Sequence, residues 1–503
     1  MIDIKDYREH PEKYIQWAKD KWSTIDWDAF ASLDTKVRSL KHQLDEMNAK
    51  RNELSKSIQT LEKWSDAFKA VVAEVQSMKW SLWEKQTEYD EAFEVFQTIL
   101  LTIPSPALAD VPVGSEHDNQ VITTVHEKPA FDFEPKTHWD ILEAKWYLDQ
   151  DRAVKLSWSR FQIVRGGLAE LQFALMQWVS QKLIKKWFEL TLVPQLVRED
   201  AMKTTGFLPN EASNLYRVNW KIKKWWIEQL REEKIKLELC LYENEWKNII
   251  NFNDYEIKIF DNTFNWETSY WIIESALNYV KETIDEFEKM KNESKIEVKF
   301  ESEREEDDLR LIWTAEVPLI GQHAGETFDV EELPKRYVWF SSCYRREAGT
   351  YGKDTKGLIR LHQFEKVEMV SFVRPQDAEK EHEMLFAIEN EIFSELGLHY
   401  QQILIATGDL WAPAAKKYDL EAWFPWIGSF KEVTSTSNTT DFQTRRGNIK
   451  VKDGVDKYYA YSLNGTATAL WRALACIVET YQTSEGDIRV PDVLKPWMSR
   501  EII

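Results

Sequence analysis

Between Val37 and Leu100, apolar side chains recur at spacings of three and four residues, in two runs. The first is Val37, Leu40, Leu44, Met47, Leu54, Ile58 and Leu61, broken only by Arg51. The second is Phe68, Val71, Val75, Met78, Leu82, Tyr89, Phe93, Phe96 and Leu100. A seam with this rhythm belongs to a helix, and it can hide its apolar stripe only against another such stripe. The break at Lys63 to Ser65 lets the chain turn back, which predicts an antiparallel helical hairpin. Each arm would be roughly 50 Å long at about 1.5 Å per residue. By itself such a hairpin is a dimerisation or spacer element. Met1 to about Phe30 reads as short helices leading into it.

The rest of the 503 residues leaves room for a large globular body, two or three domains in all. A net charge of -20 excludes a generally cationic nucleic-acid binder, so any RNA contact must use local basic patches. Cys240, Cys343 and Cys476 have no metal-like spacing, so neither a disulfide framework nor a cysteine zinc site is expected, and zinc is not. The start, MIDIKDYREH, has no apolar core and no run reaches membrane length, which makes the cytoplasm the default and a membrane partner unexpected. Leu101 to Asp140 holds Pro104, Pro106, Pro112, Pro129 and Pro135 and reads as an extended connector. From Trp139 the globular body begins: an amphipathic helix over Leu168 to Leu190, then a strand over Thr191 to Arg198 that contains Pro194. Between Asn219 and about Arg304 comes a segment rich in Lys, Glu and Trp. In it, strands are expected at Ile235 to Tyr242 and Tyr255 to Phe260 and a helix at Thr268 to Met290. Ile312 to Leu319 reads as a strand with Thr314 and Glu316 on one face. Gly408 to Pro425 and the block after it supply two more strands, and a helix from about Leu470 to Thr480 precedes a short tail.

Tyr337 to Glu368 carries the most chemistry. Val338 to Tyr344 suits a buried strand, a Gly, Asp, Lys and Thr loop follows, and Leu358 to Met369 returns as a second strand. Arg345, Glu347, Arg360, His362 and Glu368 gather near the base of this hairpin, while Phe364, Val367 and Met369 demand a covered face beside them. Paired guanidinium and carboxylate groups next to an aromatic ring suit an anionic, planar ligand, because guanidinium grips phosphate bidentately and a ring stacks on a base.

CYRREAGTYGKDTKGLIRLHQFEKVEM resembles motif 2 of class II aminoacyl-tRNA synthetases, in the form typical of the seryl-tRNA synthetase family. EVTSTSNTTDFQTRR (Glu432 to Arg446) and LNGTATALWRALACIVETYQ (Leu463 to Gln482) resemble that family's later blocks, in order. Residues 191–198 resemble motif 1, and LTIPSPALADVPVG with FDFEPKTHWD its linker. The resemblance implies an α+β fold: a class II antiparallel sheet flanked by helices, with an N-terminal antiparallel two-helix coiled-coil arm. It divides the chain into a tRNA-binding arm (1–103), a linker (104–138), catalytic parts at 139–218 and 305–503, and an insertion (219–304) outside the usual pattern that is either a structural or an RNA-contacting module.

The same resemblance implies ATP-dependent attachment of L-serine to tRNA(Ser) through a seryl-adenylate, extending to selenocysteine tRNA, by a homodimer in which the motif 1 proline of one subunit supports the other's site. Arg345 would bridge the α-phosphate and the serine carboxylate, and Arg472 would hold the distal phosphates. The ATP set is completed by Arg346, Glu347, Phe364, Glu432, Val433, Thr434 and Ser435, with Phe364 stacking on adenine and Glu432 and Ser435 holding Mg2+. Serine would meet Thr314, Ala315, Glu316, Arg345, Glu368, Asn464 and Thr466. Either acid alone would read as surface decoration, whereas their joint spacing points to one hydroxyl-selective pocket. Thr466 stands where many members have serine, and Ala467 and Thr468 replace the usual glycine and leucine. On the arm, Lys41, Lys50, Arg51 and Lys56 are the candidate tRNA phosphate contacts. The competing reading is a non-catalytic paralogue that binds RNA or a partner; loss of Arg345, Glu347, Glu432 or Arg472 would favour it, and all four are present.

The chain has 24 Trp and 16 Gly, against an ordinary glycine usage of about 7%. Trp146, Trp158, Trp187, Trp339, Trp411, Trp426 and Trp471 stand where the resembled family commonly has glycine, and Trp313 where it has a small residue or proline; Trp423 is a family tryptophan. Overpacking costs ~1 to 3 kcal/mol per site, and an indole in place of a hydrogen is an extreme case. These positions are expected to be glycine, encoded by reassigned UGA codons; the alternative is a tryptophan-rich, divergent or inactive copy.

Overall fold

The apolar seam is satisfied within the chain. Helices Trp27–Ile58 and Asp66–Thr102 lie side by side. Phe30 stacks on Phe96 at 5.2 Å, and farther along Lys50 pairs with Glu74 at 2.8 Å, so the two run antiparallel. Val37, Leu40 and Leu44 bury against the second helix, whereas Leu54 and Ile58 near the tip are only half-covered. Ser65 caps the returning helix by accepting the Phe68 N–H at 3.1 Å. The computed structural model describes residues 1–58, 61, 65–219, 251–252, 255–256, 308–347 and 357–503. They fall into two compact units, Met1–Arg217 with Arg310–Ile503, and Val218–Leu309.

The larger unit is built on an eight-stranded sheet: β1 (Gln120–Val125), β2 (Glu189–Leu190), β3 (Lys335–Tyr344), β4 (Gln363–Val373), β5 (Tyr400–Leu404), β6 (Lys416–Phe424), β7 (Ser429–Asn438) and β8 (Tyr461–Ala469). Their order is β1-β5-β6-β7-β8-β4-β3-β2, antiparallel throughout except for the short edge strand β2, which runs parallel to β3. Strand β4 is central, and its side chains divide with period two. Val367, Met369 and Val373 enter a core shared with helices Gly166–Lys185, Ala378–Glu395 and Leu470–Thr480, while Val370 and Phe372 enter a second core with Leu319, Phe328 and Ile449. Phe364, Lys366 and Glu368 continue the even-numbered side into a cavity.

Four local expectations are corrected. The return of the hairpin is a strand only from Gln363, because backbone groups of 358–362 are taken elsewhere: the Leu358 N–H donates to His138 Nε2, and the His362 N–H to the Arg160 carbonyl. Residues 191–198 are not one strand; Pro194, which has no N–H to give a ladder, separates Glu189–Leu190 from Leu196–Arg198. Residues 312–319 are not a strand either, since Glu316 opens the helix Glu316–Gly321, whose first turn accommodates Pro318. The connector is not wholly extended linker, for β1 within it pairs with β5 at the sheet edge. The strand expected at 235–242, the helix expected at 268–290 and Cys240 lie outside the described residues; of the strand expected at 255–260, Tyr255–Glu256 is described. Among the described residues no helix is long and apolar enough to cross a membrane.

Candidate active site

A cavity of about 290 Å³ opens over β4, β7 and β8. Of the expected site residues, Thr314, Glu316, Arg345, Glu347, Phe364, Glu368, Glu432, Val433, Thr434, Ser435, Asn464, Thr466 and Arg472 all line it. Two do not. Ala315 is fully buried in the second core, and Arg346 is exposed outside the cavity lining, its backbone N–H donating to the Asn214 carbonyl at 2.9 Å. Lys41, Lys50, Arg51 and Lys56 lie on the first arm helix, where Lys41 and Lys50 pair with Asp45 and Glu74.

One wall is a closed polar network. In the sheet register Glu368 faces Thr466, and the extra residue of the adjacent β-bulge is Ala467 of β8. The Thr314 hydroxyl donates to Glu368 at 3.0 Å, and Lys366 pairs with the same carboxylate. Glu316 receives two amide donors on one oxygen: Gln443 Nε2 at 2.6 Å and Asn464 Nδ2 at 2.9 Å. Burial, and then the charge of Glu368, push the Glu316 carboxyl up to about 8; burial also raises Glu368. Two acids held this way are ready to accept a cation and to pair with a small polar group. Nothing apolar could satisfy them.

Another part of the lining is cationic. The half-buried Arg345 guanidinium stacks on the rings of Trp313, at 4.5 Å, and Phe364, at 5.0 Å. Burial and neighbouring Arg472 lower its pKa, an arrangement that favours an anion between them. Arg472, from helix Leu470–Thr480, donates to the Glu432 carbonyl at 2.8 Å and pairs with its carboxylate at 3.3 Å. Burial pushes Glu432 up, but Arg472, Lys417 and Arg345 together hold it below the usual range. Glu347, at φ 49°, pairs with Arg360 at 3.3 Å. Glu432 and Ser435 offer two oxygen donors, a set that suits a hard cation whose remaining ligands come from phosphate and water.

Three supporting groups escaped the sequence reading. Gln443 is fully buried; besides Glu316 it donates to the Thr205 carbonyl at 3.0 Å, and its own oxygen accepts from Thr439 at 3.0 Å and Ser462 at 2.9 Å. It lay inside the quoted block 432–446 but, being neutral, gave no charge signal. Lys366 was visible in the block HQFEKVE. His138 lay inside FDFEPKTHWD but without a role: buried, it bonds Glu479 at 2.7 Å through Nδ1 and accepts the Leu358 N–H at 3.2 Å through Nε2, fixing where the hairpin loop re-enters. Trp313, Trp411 and Trp471 also line the cavity.

Comparison with known proteins bears on this geometry. Residues 297–481 match the tRNA synthetase class II core domain (G, H, P, S and T), and residues 1–106 match the seryl-tRNA synthetase N-terminal domain. The serine–tRNA ligase of Fervidobacterium nodosum is 34% identical, covering 100% of this chain and 99% of the relative; that of Kosmotoga olearia is 33% identical, covering 100% of both. The crystal structure of seryl-tRNA synthetase from Pyrococcus horikoshii complexed with ATP superposes with a TM-score of 0.74 at 28% identity, covering 100% of this chain and 99% of that one. The cytoplasmic serine–tRNA ligase from Naegleria fowleri in complex with AMP superposes with a TM-score of 0.70 at 25% identity, covering 100% and 98%.

Proposed function

The chain belongs to the seryl-tRNA synthetase family, and from that premise we propose that its cavity joins L-serine to ATP and then passes the seryl group to tRNA(Ser). The observation that carries the reading is that one cavity is lined both by the guanidinium groups of Arg345 and Arg472 and by Glu316, Glu368, Asn464 and Thr466.

In the first step a serine carboxylate oxygen attacks the α-phosphorus of ATP, a P–O bond forms, the bond to the β-phosphate oxygen breaks, and pyrophosphate leaves with the electron pair. The nucleophile is already ionised at neutral pH, so no strong base is required. The residues must align two anions and offset charge in the pentacoordinate state. Arg345 lies across the reacting α-phosphate and carboxylate, Arg472 takes the distal phosphates, and Phe364 with Glu347 holds the adenine. Glu432 and Ser435 would hold Mg2+, which neutralises phosphate charge when bound. Glu316 receives the serine ammonium, while Glu368 and Thr466 read the hydroxyl. In the second step a ribose hydroxyl of the tRNA attacks the acyl carbonyl, and AMP leaves.

The arm (1–103), with Lys41, Lys50, Arg51 and Lys56, serves tRNA(Ser), and selenocysteine tRNA as a further substrate. Residues 104–138 link it to a catalytic domain in two parts, 139–218 and 305–503, and 219–304 is an insertion. The protein works as a cytoplasmic homodimer. That reading is supported by the exposed apolar run of Phe173, Ile184, Leu190, Leu192 and Leu196 around the motif 1 segment, a cluster a monomer would leave in water. Sedimentation at micromolar concentration should give twice the chain mass of 59.6 kDa.

The test of the activity is exchange of labelled pyrophosphate into ATP. Serine should stimulate it; stimulation by another amino acid instead removes the specificity assignment, and no stimulation by any amino acid favours the non-catalytic paralogue.

A further inference from the structure

Three helices end in the same way, and each carries tryptophan where the backbone calls for glycine. After helix Pro11–Asp20 comes Trp22 at φ 55°, after His138–Ala144 comes Trp146 at 58°, and after Gly166–Lys185 comes Trp187 at 68°. Each closes its helix with the same pair of hydrogen bonds. Trp22 N–H donates to the Lys19 carbonyl at 2.9 Å and Ser23 N–H to Ala18 at 2.8 Å; Trp146 to Glu143 at 3.0 Å and Tyr147 to Leu142 at 2.9 Å; Trp187 to Ile184 at 3.1 Å and Phe188 to Leu183 at 3.2 Å. This double closure puts its penultimate residue in the left-handed region, which glycine enters freely and a bulky L side chain does not.

The chain contains its own control. Helix Ala378–Glu395 ends with identical bonding, Gly397 N–H to Ser394 at 2.9 Å and Leu398 N–H to Phe393 at 3.4 Å, and its left-handed residue, at φ 67°, is glycine. Trp22, Trp146 and Trp187 are 66%, 70% and 85% exposed, so their rings gain little from packing.

A second observation is independent of backbone conformation. The indole N–H groups of Trp313 and Trp339 are buried with no hydrogen-bond partner among the described residues, whereas a buried indole ordinarily finds one. A third is the count. Adding most of the 24 tryptophans to the 16 glycines brings the total near the ~35 that ordinary usage gives a chain of 503 residues.

We infer that at Trp22, Trp146, Trp187, Trp313 and Trp339 the polypeptide made in the source cell carries glycine, the gene's UGA codons being read there as glycine. Trp411 and Trp471, which line the cavity with Trp313, belong to the same set. Glycine at those three positions widens the cavity and removes the indole stacked on Arg345. Positions 22, 146 and 187 are remote from the chemistry, so the inference stands apart from the proposed reaction.

Peptide mass mapping of the protein isolated from its source cells, read beside the codons of its gene, tests it. Glycine residues encoded by UGA are expected at 22, 146 and 187, and at 313 and 339; tryptophan at any of the first three overturns the inference. A second measurement needs no source material. The chain made with tryptophan throughout is compared with its Trp22→Gly, Trp146→Gly, Trp187→Gly triple variant, whose unfolding midpoint should be higher by roughly 5 °C or more. An unchanged or lower midpoint overturns the backbone argument.

Discussion

Glu316 is a buried acid whose protonation should answer to what the cavity holds. Its carboxyl is pushed from the ordinary 4.5 to about 8, first by burial and then by the charge of Glu368. Between those values the folded chain holds a proton that the unfolded chain has lost, so this group's contribution to stability is present at low pH and fades as pH rises through about 8. A bound ammonium reverses the preference and drives the proton off. Serine binding at pH 7 should therefore release a proton, seen as calorimetric heats that differ between buffers of different ionisation enthalpy, and Glu316→Gln should abolish the difference. Gln443→Ala should raise the KM for serine by about 10- to 100-fold, because it removes one of two donors to a buried carboxylate, a loss of ~1.5 to 3 kcal/mol. The two acids were legible as a pair because the resembled motifs carry them at fixed positions. Gln443 and His138 were not, since a neutral amide and a lone histidine acquire meaning only from what the fold brings beside them.

At the level of elements, the site depends on how closely strands β7 and β8 approach the helix behind them. A side chain at Gly465 would put its Cβ 2.9 Å from Glu389 Oε1, 3.0 Å from Thr436 Oγ1 and 3.1 Å from Met369 Cε. Gly465→Ala should destabilise the fold by ~1 to 3 kcal/mol and disturb its neighbours Asn464 and Thr466, as thermal unfolding and serine titration would report. Burial raises the Glu389 carboxyl well above its usual range, and it accepts the Thr434 hydroxyl at 2.8 Å. Glu389→Gln, which mimics the protonated acid, should therefore leave stability within about 1 kcal/mol, while Glu389→Ala should cost more. The long hairpin helices and the central strands were readable from periodicity, because each buries a regular face. Strand β1 was not: five of its six residues are exposed, so it shows no alternation, and it sits inside a proline-rich run. The short helix at Glu316 hid for the converse reason, its buried residues after Glu316 forming an unbroken apolar run, Val317 to Ile320, that strand and helix share.

For the molecule as a whole, the arm must be anchored where it joins the body. Arg446 does part of this, donating to the Leu101 carbonyl at 2.6 Å where the arm ends, and to Lys203 at 3.0 Å and Leu208 at 3.2 Å in the body. Lys41, Lys50 and Lys56 are exposed on the arm of a chain with net charge -20, so tRNA affinity should depend on few sites. Replacing Lys41, Lys50, Arg51 and Lys56 by Glu should raise the KM for tRNA tenfold or more at moderate salt and flatten its salt dependence, leaving serine-dependent pyrophosphate exchange intact. That separation would assign binding to the arm and chemistry to the sheet. The central claim is that two guanidinium groups, 345 and 472, act on one triphosphate. Its most direct test is pyrophosphate exchange at saturating serine in Arg345→Ala and Arg472→Ala beside the parent chain. The account predicts that each variant loses about 10²-fold or more while its far-ultraviolet spectrum is unchanged; exchange at the parental rate in either folded variant would contradict it.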